Sequence, residues 1–177
     1  VISVGHALVD TGAQGPVIGL IRWQQWVKAL AKCFGLRPVF SSKPTTVGTA
    51  GGVGGESKII GMAEMPMGVG GVSSSMVWQI CEDPDPEQPV PPLLPISYIR
   101  NADALIDVSG KKMIQRACNN KIAELEDLET GHQSTSLMSF GTKPWEELMA
   151  ELAPEYYQTR LDENGSLPFL LSNRTGT

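Results

Sequence analysis

The feature that most constrains this chain is a short apolar segment that runs directly into a carboxylate and a glycine. Residues 2–9 are rich in β-branched and other aliphatic side chains, which favour a strand. Asp10, Thr11 and Gly12 follow at once, and a further apolar pair comes a few positions later. Because Gly12 permits a tight turn, the sequence predicts an aspartate on a loop at the end of a rigid strand, where catalytic groups are often placed.

This segment resembles the active-site loop of retropepsin-like aspartic proteases. The family pattern is two apolar residues, then Asp-Thr/Ser-Gly-Ala, then apolar residues a few positions on. Here residues 8–13 are Leu-Val-Asp-Thr-Gly-Ala, and residues 17–18 are Val-Ile. The resemblance implies a catalytic triplet, formed by Asp10, Thr11 and Gly12. The other interpretation is a strand-end turn in which the aspartate bonds only to nearby backbone.

Composition favours a single domain built mainly of β structure. The chain has 177 residues, of which 41% are hydrophobic, and glycine (19) and proline (13) are both frequent. This balance favours turns and strands over a helical bundle. The net charge of −5 argues against a nucleic-acid-binding surface. No run of about 18 apolar residues occurs, so no transmembrane helix is expected.

The cysteines bear on metal binding and on location in the cell. Cys33, Cys81 and Cys118 stand far apart, without a Cys-x-x-Cys pair or nearby histidine pair. We therefore expect neither a zinc site nor a disulfide framework, and no metal or cofactor is predicted. Reduced thiols fit an intracellular, cytoplasmic chain. The sequence begins inside a predicted strand and without Met, which indicates a piece of a longer polyprotein.

A second informative segment, residues 48–58, is rich in glycine. Its end, Gly-Glu-Ser-Lys, fails the P-loop pattern, and Ser57 breaks the dinucleotide-binding pattern. A flexible linker and a mobile hairpin tip both stay open. The Gly-Gly-Val-Gly-Gly at 51–55 resembles the flap of retropepsins, whose glycine amides close onto a peptide and open again. The resemblance implies a substrate-contacting set, formed by Ala13, Gln14, Gly51, Gly52, Val53, Gly54 and Gly55.

A third segment, residues 91–108, is apolar and leads from an apolar pair to a short helix (Ile96–Asn101) and a strand (Ala104–Val108). It resembles the closing segment of the retropepsin core. In that family an apolar strand passes beside the active-site loop, and a short helix then leads into a further strand. The chain departs from the family at Pro95, where the family usually has glycine.

Periodicity predicts the remaining elements. Residues 19–36 form an amphipathic helix that ends at Gly35, with Trp23 and Trp26 as packing residues. Such helical insertions occur in the retropepsin-like domains of retrotransposon polyproteins. A last helix is predicted at 144–153, with proline at its start. Further strands are predicted at 58–67, 69–77, 76–81, 112–117, 122–128 and 131–140.

The three segments occur in the family's order and together predict the fold class. We expect a mainly β fold: a retropepsin-like closed acid-protease barrel with a helical insertion and a C-terminal helical extension. Residues 1–115 are the expected protease domain, with the insertion at 19–36 and the flap at 48–58. Residues 116–141 are expected to add a β segment, and residues 142–177 a helical or linker extension.

A single Asp-Thr-Gly supplies only half of an aspartic-protease site. Two carboxylates that share one proton activate a water and protonate the peptide carbonyl. The chain has no second such triplet, so a homodimer must place Asp10 beside its own copy. By resemblance, Thr11 hydrogen-bonds across the two-fold axis and Gly12 admits the substrate backbone. The substrate binds extended beneath the flaps. Gln14 stands where retroviral members often carry Asp.

The sequence therefore predicts an aspartic endopeptidase that cleaves a polyprotein. Its expected partners are a peptide or polyprotein substrate and a second copy of the chain, with no membrane and no nucleic acid. The alternative is a catalytically inactive retropepsin-fold module for dimerisation or peptide binding. A nucleotide-binding protein that uses the glycine segment is a third hypothesis. His132, with no nucleophile pattern near it, is interpreted as a structural or surface residue.

Overall fold

The computed structural model describes residues 1–40, 49–50 and 57–141, which form twelve strands and two α-helices. The helices are α1 (Leu20–Phe34) and α2 (Ile96–Asn101). The strands are β1 (His6–Asp10), β2 (Val17–Gly19), β3 (Val39–Phe40), β4 (Thr49–Ala50), β5 (Ser57–Val69), β6 (Val72–Cys81), β7 (Leu93–Pro95), β8 (Ala104–Asp107), β9 (Lys112–Gln115), β10 (Lys121–Glu124), β11 (Glu126–Asp127) and β12 (Gln133–Ser136).

Nine of these strands form one sheet, in the order β11-β12-β1-β7-β2-β6-β5-β3, with β4 paired to β5 off this path. Strand β1 lies in its interior, antiparallel to β12 and parallel to β7. Only β1 with β7 and β2 with β6 pair in parallel among the named strands of the described residues, so the fold is not a doubly wound parallel sheet. The prediction of a mainly β fold is confirmed.

The closed barrel that the sequence predicts is not found among the described residues. The sheet is open, with the two-residue strands β11 and β3 at the ends of its strand order. Strands β8, β9 and β10 form a separate three-stranded sheet, in the order β10-β9-β8. Closure of a barrel requires the first and last strands of one sheet to pair, and here they do not.

A buried glutamine connects the small sheet to the rest of the molecule. Gln115 in β9 is fully buried, and its Nε2 donates to the carbonyl of Val69 at 3.0 Å. Its Oε1 accepts the hydroxyl proton of Tyr98 in α2 at 2.6 Å. Since buried polar groups are costly without partners, these two bonds fix the small sheet against both the β5–β6 hairpin and α2.

Helix α1 covers the main sheet with one apolar face. Its fully buried residues recur at helical spacing and are Trp23, Trp26, Val27 and Leu30. The Trp26 ring meets the ring of Trp78 edge to face, with 5.4 Å between centroids. The Trp23 indole donates to the sulfur of Met65 at 3.2 Å. Gly35 ends the helix at φ 67°, as predicted, since this left-handed conformation favours glycine.

The long hairpin differs from its prediction in where it turns. Strand β5 continues through Val69, and Gly70 and Gly71 form the turn with φ of 56° and 80°. Two consecutive positive φ angles are what a tight two-residue hairpin turn requires, so the ladder runs up to this glycine pair rather than stopping at Gly68. Residues 76–81 are not a separate strand, because they continue β6.

Several other boundaries also shift, and the strand predicted at 122–128 divides into β10 and β11. The first strand begins at His6 rather than at residue 2, because a turn precedes it in which Gly5 has φ 72°. The strand predicted within 131–140 is confined to β12. Helix α2 has the predicted bounds. The predicted flap tip at 51–55 and the predicted helix at 144–153 lie outside the described residues.

Candidate active site

Asp10 is the last residue of strand β1, which lies in the interior of the sheet. Ala7 and Leu8 are buried, and the strand has a partner on each side. Its parallel register with β7 runs up to the pair Asp10↔Pro95. The backbone at the base of the carboxylate is therefore held by ladder hydrogen bonds, which is the support that a precisely placed side chain needs.

Two short hydrogen bonds shape the loop beyond the strand. Asp10 Oδ1 accepts the backbone N–H of Gly12 at 2.8 Å, and the Asp10 carbonyl accepts that of Ala13 at 3.2 Å. Within the described residues, Asp10 Oδ2 has no hydrogen-bond partner. Thr11 and Gly12 are exposed. A Cβ at position 12 would lie 3.3 Å from Asp10 Oδ1, so glycine keeps the approach to this oxygen open.

The far side of the loop is tied to neighbouring elements. The N–H of Ile96, the first residue of α2, donates to the Ala13 carbonyl at 3.0 Å. The N–H of Gln79 in β6 donates to the Pro16 carbonyl, also at 3.0 Å. The loop is thus anchored by β6 and α2 as well as by β1. Its exposed turn, at Thr11 and Gly12, is therefore held in place on both sides.

Pro95 does not divert the strand that supports the loop. It caps α2 with extended backbone, φ −84° and ψ 169°, which proline adopts readily. Leu93 and Leu94 before it are buried and paired with β1. The departure from the family's glycine therefore leaves the parallel pairing with Asp10 in place.

The remaining predicted site residues are less closely grouped. Ala13 is partly buried and packs against a small apolar cluster that contains Leu8 and Leu93. Gln14 is exposed. The glycine segment that contains Gly51, Gly52, Val53, Gly54 and Gly55 lies outside the described residues. Its flanks are paired antiparallel, Thr49↔Lys58 and Ala50↔Ser57, and it leads into a strand rather than a helix. A dinucleotide-binding glycine pattern would open a helix here.

Other chemical groups give no competing site in the described part of the chain. His132 is exposed, and its Nδ1 lies 2.9 Å from the Thr130 hydroxyl. Burial, with a smaller contribution from the nearby Asp83 carboxylate, raises the pKa of Cys81 to about 11, so this thiol is not a nucleophile at neutral pH. No cluster of three or more metal-ligating side chains occurs among the described residues.

Sequence reasoning missed Asp83, which organises the region around β2. Its Oδ2 accepts the N–H of Ile21 in the first turn of α1, and its Oδ1 accepts the N–H of Val90, both at 2.8 Å. Helix α1 has Gly19 as N-cap and no acidic residue in its first turn. Asp83, which is remote in sequence, therefore accepts the Ile21 N–H, which has no acceptor within the helix. The only signal in the sequence is a helix that begins without its own capping side chain.

The sequence matches no known family model, and a search of curated proteins finds no match. In the described part of the structure, neither helix has the length and apolar character needed to span a membrane. The case for a function therefore rests on the residues and geometry of the Asp10 loop.

Proposed function

We propose that this protein is an aspartic endopeptidase of the retropepsin type, active as a homodimer that pairs Asp10 with its copy. The observation that carries the proposal is the parallel pairing of β1 with β7, which ends at Asp10↔Pro95 and leaves the following loop exposed. Helix α2 and strand β8 follow β7 in the order expected of the family's closing segment. The retropepsin-like arrangement and its residue roles are part of this proposal.

The chemistry needs two carboxylates that hold one proton between them. Like charges so close do not both ionise readily, so the pair titrates as a unit. One Asp10 takes a proton from the attacking water while the other protonates the carbonyl oxygen. The Gly12 N–H bond to Oδ1 orients each carboxylate and leaves Oδ2 for the water. Thr11, which is exposed, is proposed to bond across the two-fold axis.

The proposed substrate is an extended segment of a polyprotein. It binds as an added strand, with backbone hydrogen bonds that supply affinity and side-chain pockets that supply selectivity. Ala13 and Gln14 follow the catalytic triplet and contact the substrate from below. Residues 51–55 lie outside the described residues and are proposed as the flap, and the antiparallel β4–β5 pair that flanks them supports this role.

The experiment is a peptide-library cleavage assay read by mass spectrometry on the wild type and Asp10→Asn. Asp85→Asn is the matched control, since Asp85 is an exposed loop carboxylate of the same charge. We expect cleavage by the wild type and the control, and none by Asp10→Asn. Cleavage should be faster at acidic than at neutral pH, because the pair must hold one proton. It should rise more steeply than protein concentration near the dimer dissociation constant.

Two results would contradict the proposal: retained cleavage by Asp10→Asn, or full activity in a demonstrated monomer. The second candidate function is the inactive retropepsin-fold module, and the feature that favours it is the departure at Pro95, where the family usually has glycine. A folded dimer that binds extended peptides but cleaves none of them would select this second function. Peptide binding by fluorescence anisotropy separates the two, because it does not depend on catalysis.

A further inference from the structure

A polar cavity of about 500 Å³ lies where β10, β12 and the start of β1 meet, and Asp10 is not among the residues that line it. Its lining contains the carboxylates of Glu124 and Glu126, the imidazole of His6 and four hydroxyl groups. No lysine or arginine is among the described residues that line it. The cavity is therefore rich in hydrogen-bond acceptors and carries negative charge.

The strand register places three of these groups on one face of the sheet. Glu126 in β11 is opposite Ser134 in β12, and His6 in β1 is opposite Ser136. Paired residues and alternate residues of a strand share a face, so Glu126, Ser134 and His6 lie on the same side. His6 Nδ1 lies 4.0 Å from Glu126 Oε2 although β12 separates their strands. Both side chains therefore reach over β12 toward each other.

Two polar atoms at this place have no hydrogen-bond partner among the described residues. Ser134 is 1% exposed, and its Oγ is buried and unpaired. His6 Nδ1 is also buried and unpaired, since 4.0 Å is beyond hydrogen-bond distance. Buried polar groups in folded proteins are almost always satisfied, so two neighbouring exceptions that line one cavity indicate a bound partner.

We propose that this cavity binds a primary ammonium group, carried by a lysine side chain or by a free alkylamine. An ammonium offers three donors, and Glu126, Ser134 Oγ and the ring nitrogen Nδ1 of His6 are the three acceptors proposed for it. The two carboxylates disfavour an anion. A metal ion lacks its ligand cluster in the described part of the chain.

The test is a titration of the full chain with n-butylammonium near neutral pH, in which NMR monitors the chemical shifts of the backbone amides. We expect saturable shifts at His6, Ser134 and Glu126. Glu126→Gln should weaken binding by about tenfold or more, because it removes a charge-assisted bond. Glu129→Gln is the matched control and should bind as the wild type does, since Glu129 is exposed and does not line the cavity.

A second variant separates a binding role from a structural one. Ser134→Ala removes an unpaired hydroxyl, so it should keep or raise the thermal stability of the free protein and still weaken ammonium binding.

A second ligand, Nα-acetyl-lysine N-methylamide, tests whether the ammonium belongs to a peptide. If it binds more tightly than n-butylammonium, the cavity is assigned to lysine side chains. If it binds equally or more weakly, the cavity is assigned to free amines.

The proposal is overturned if n-butylammonium gives no saturable shifts, or if Glu126→Gln binds it unchanged. It is also overturned if 1-butanol, the neutral analogue, binds equally well, because water or any polar solute would then suffice. These readouts measure binding alone, so they are independent of whether Asp10 cleaves peptides.

Discussion

Two aspartates near strand ends have different surroundings. Asp10 closes β1, and Asp83 comes two residues after β6 ends. Within the described residues, Asp10 accepts one side-chain hydrogen bond, from an N–H two positions away, and keeps Oδ2 unbonded. Asp83 uses both oxygens, one on the start of α1 and one on the loop before β7. Asp83 therefore contributes to the fold through both of its oxygens, whereas Asp10 is bonded through one.

The glycines beside the two carboxylates differ in the same way. Among the described residues, a Cβ at Gly12 would meet only Asp10 Oδ1, at 3.3 Å. A Cβ at Gly19 would collide with Asp83 Oδ1 and lie 2.9 Å from the Val90 carbonyl. The space beside Gly19 is thus filled by Asp83 and Val90, whereas Thr11 and Gly12 of the Asp10 loop are exposed. Substitutions at these matched positions test the contrast.

The largest expected effect is on catalysis. Asp10→Asn should lower cleavage by about three orders of magnitude or more, because both chains of the proposed homodimer carry the change and both carboxylates proposed to move the proton are lost. The amide oxygen can still accept the Gly12 N–H, so the free energy of unfolding should change by less than about 0.5 kcal/mol. Cleavage kinetics and chemical denaturation measure the two quantities. A large loss of stability in this variant would make Asp10 a structural residue like Asp83.

Asp83→Ala should have the largest effect on stability. It leaves two part-buried backbone N–H groups without their acceptor and uncaps α1, which costs about 3 kcal/mol of unfolding free energy. Urea denaturation measures this loss. Asp85→Ala, in the same loop but exposed, is the control and should change stability by less than about 0.5 kcal/mol. Equal stability of the two variants would mean that Asp83 contributes no more to the fold than Asp85 does.

The paired glycine substitutions should differ by a smaller amount. Gly19→Ala forces Asp83 or the Val90 backbone to move and should cost about 2 kcal/mol. Gly12→Ala meets one exposed oxygen and should cost less than about 1 kcal/mol, but it should impair cleavage by narrowing the approach to Asp10. Denaturation and cleavage assays on the same two proteins check both expectations. A reversal of the stability order would contradict them.

Alkaline pH probes the Asp83 region through its neighbour Cys81. Burial, and secondarily the Asp83 charge, raises the pKa of this thiol from 9.0 to about 11. Because the pKa of Cys81 is higher in the folded than in the unfolded state, the protonated thiol contributes fully to the free energy of unfolding below about pH 9. This contribution is lost as the pH rises toward 11. Cys81→Ala should therefore lose less stability than the wild type over this interval. In native protein, exposed Cys33 should react with iodoacetamide and Cys81 should not.

The smallest effect is expected at His132. The side chain is exposed, and the Thr130 hydroxyl is its hydrogen-bond partner among the described residues, so His132→Ala should change neither cleavage nor stability by a measurable amount. The same two assays apply. A marked loss of cleavage would introduce a histidine into the mechanism and would contradict the two-aspartate chemistry.

Local elements could be predicted because their signals are local. The apolar spacing of α1, the stop at Gly35 and the bounds of α2 all follow from residues within a turn or two. The predicted turn, residues 68–71, was too wide because Gly68, Gly70 and Gly71 give equal turn signals in a sequence. Only the pairing Gly68↔Ser73 and Val69↔Val72 selects the last two.

Long-range relations could not be predicted. Nothing near Asp83 indicates that its oxygens will meet Ile21, 62 positions away. Likewise, the alternation in each strand predicts a buried face but not its neighbours, so the open sheet could not be distinguished from a closed barrel. The Asp10 triplet was identified because its motif is contiguous, whereas the Glu126, Ser134 and His6 cluster is assembled from three strands.

The position of β12 determines when the Asp10 strand can be completed during synthesis. Strand β1 is synthesised before both of its partners, and the antiparallel partner β12 comes near the end of the described chain. Chains grow at about 5–20 residues per second, so the edge of β1 that pairs with β12 stays uncovered for several seconds. A nascent chain therefore carries the Asp-Thr-Gly sequence well before its sheet is complete. A chain that ends before residue 133 has the triplet but lacks strand β12.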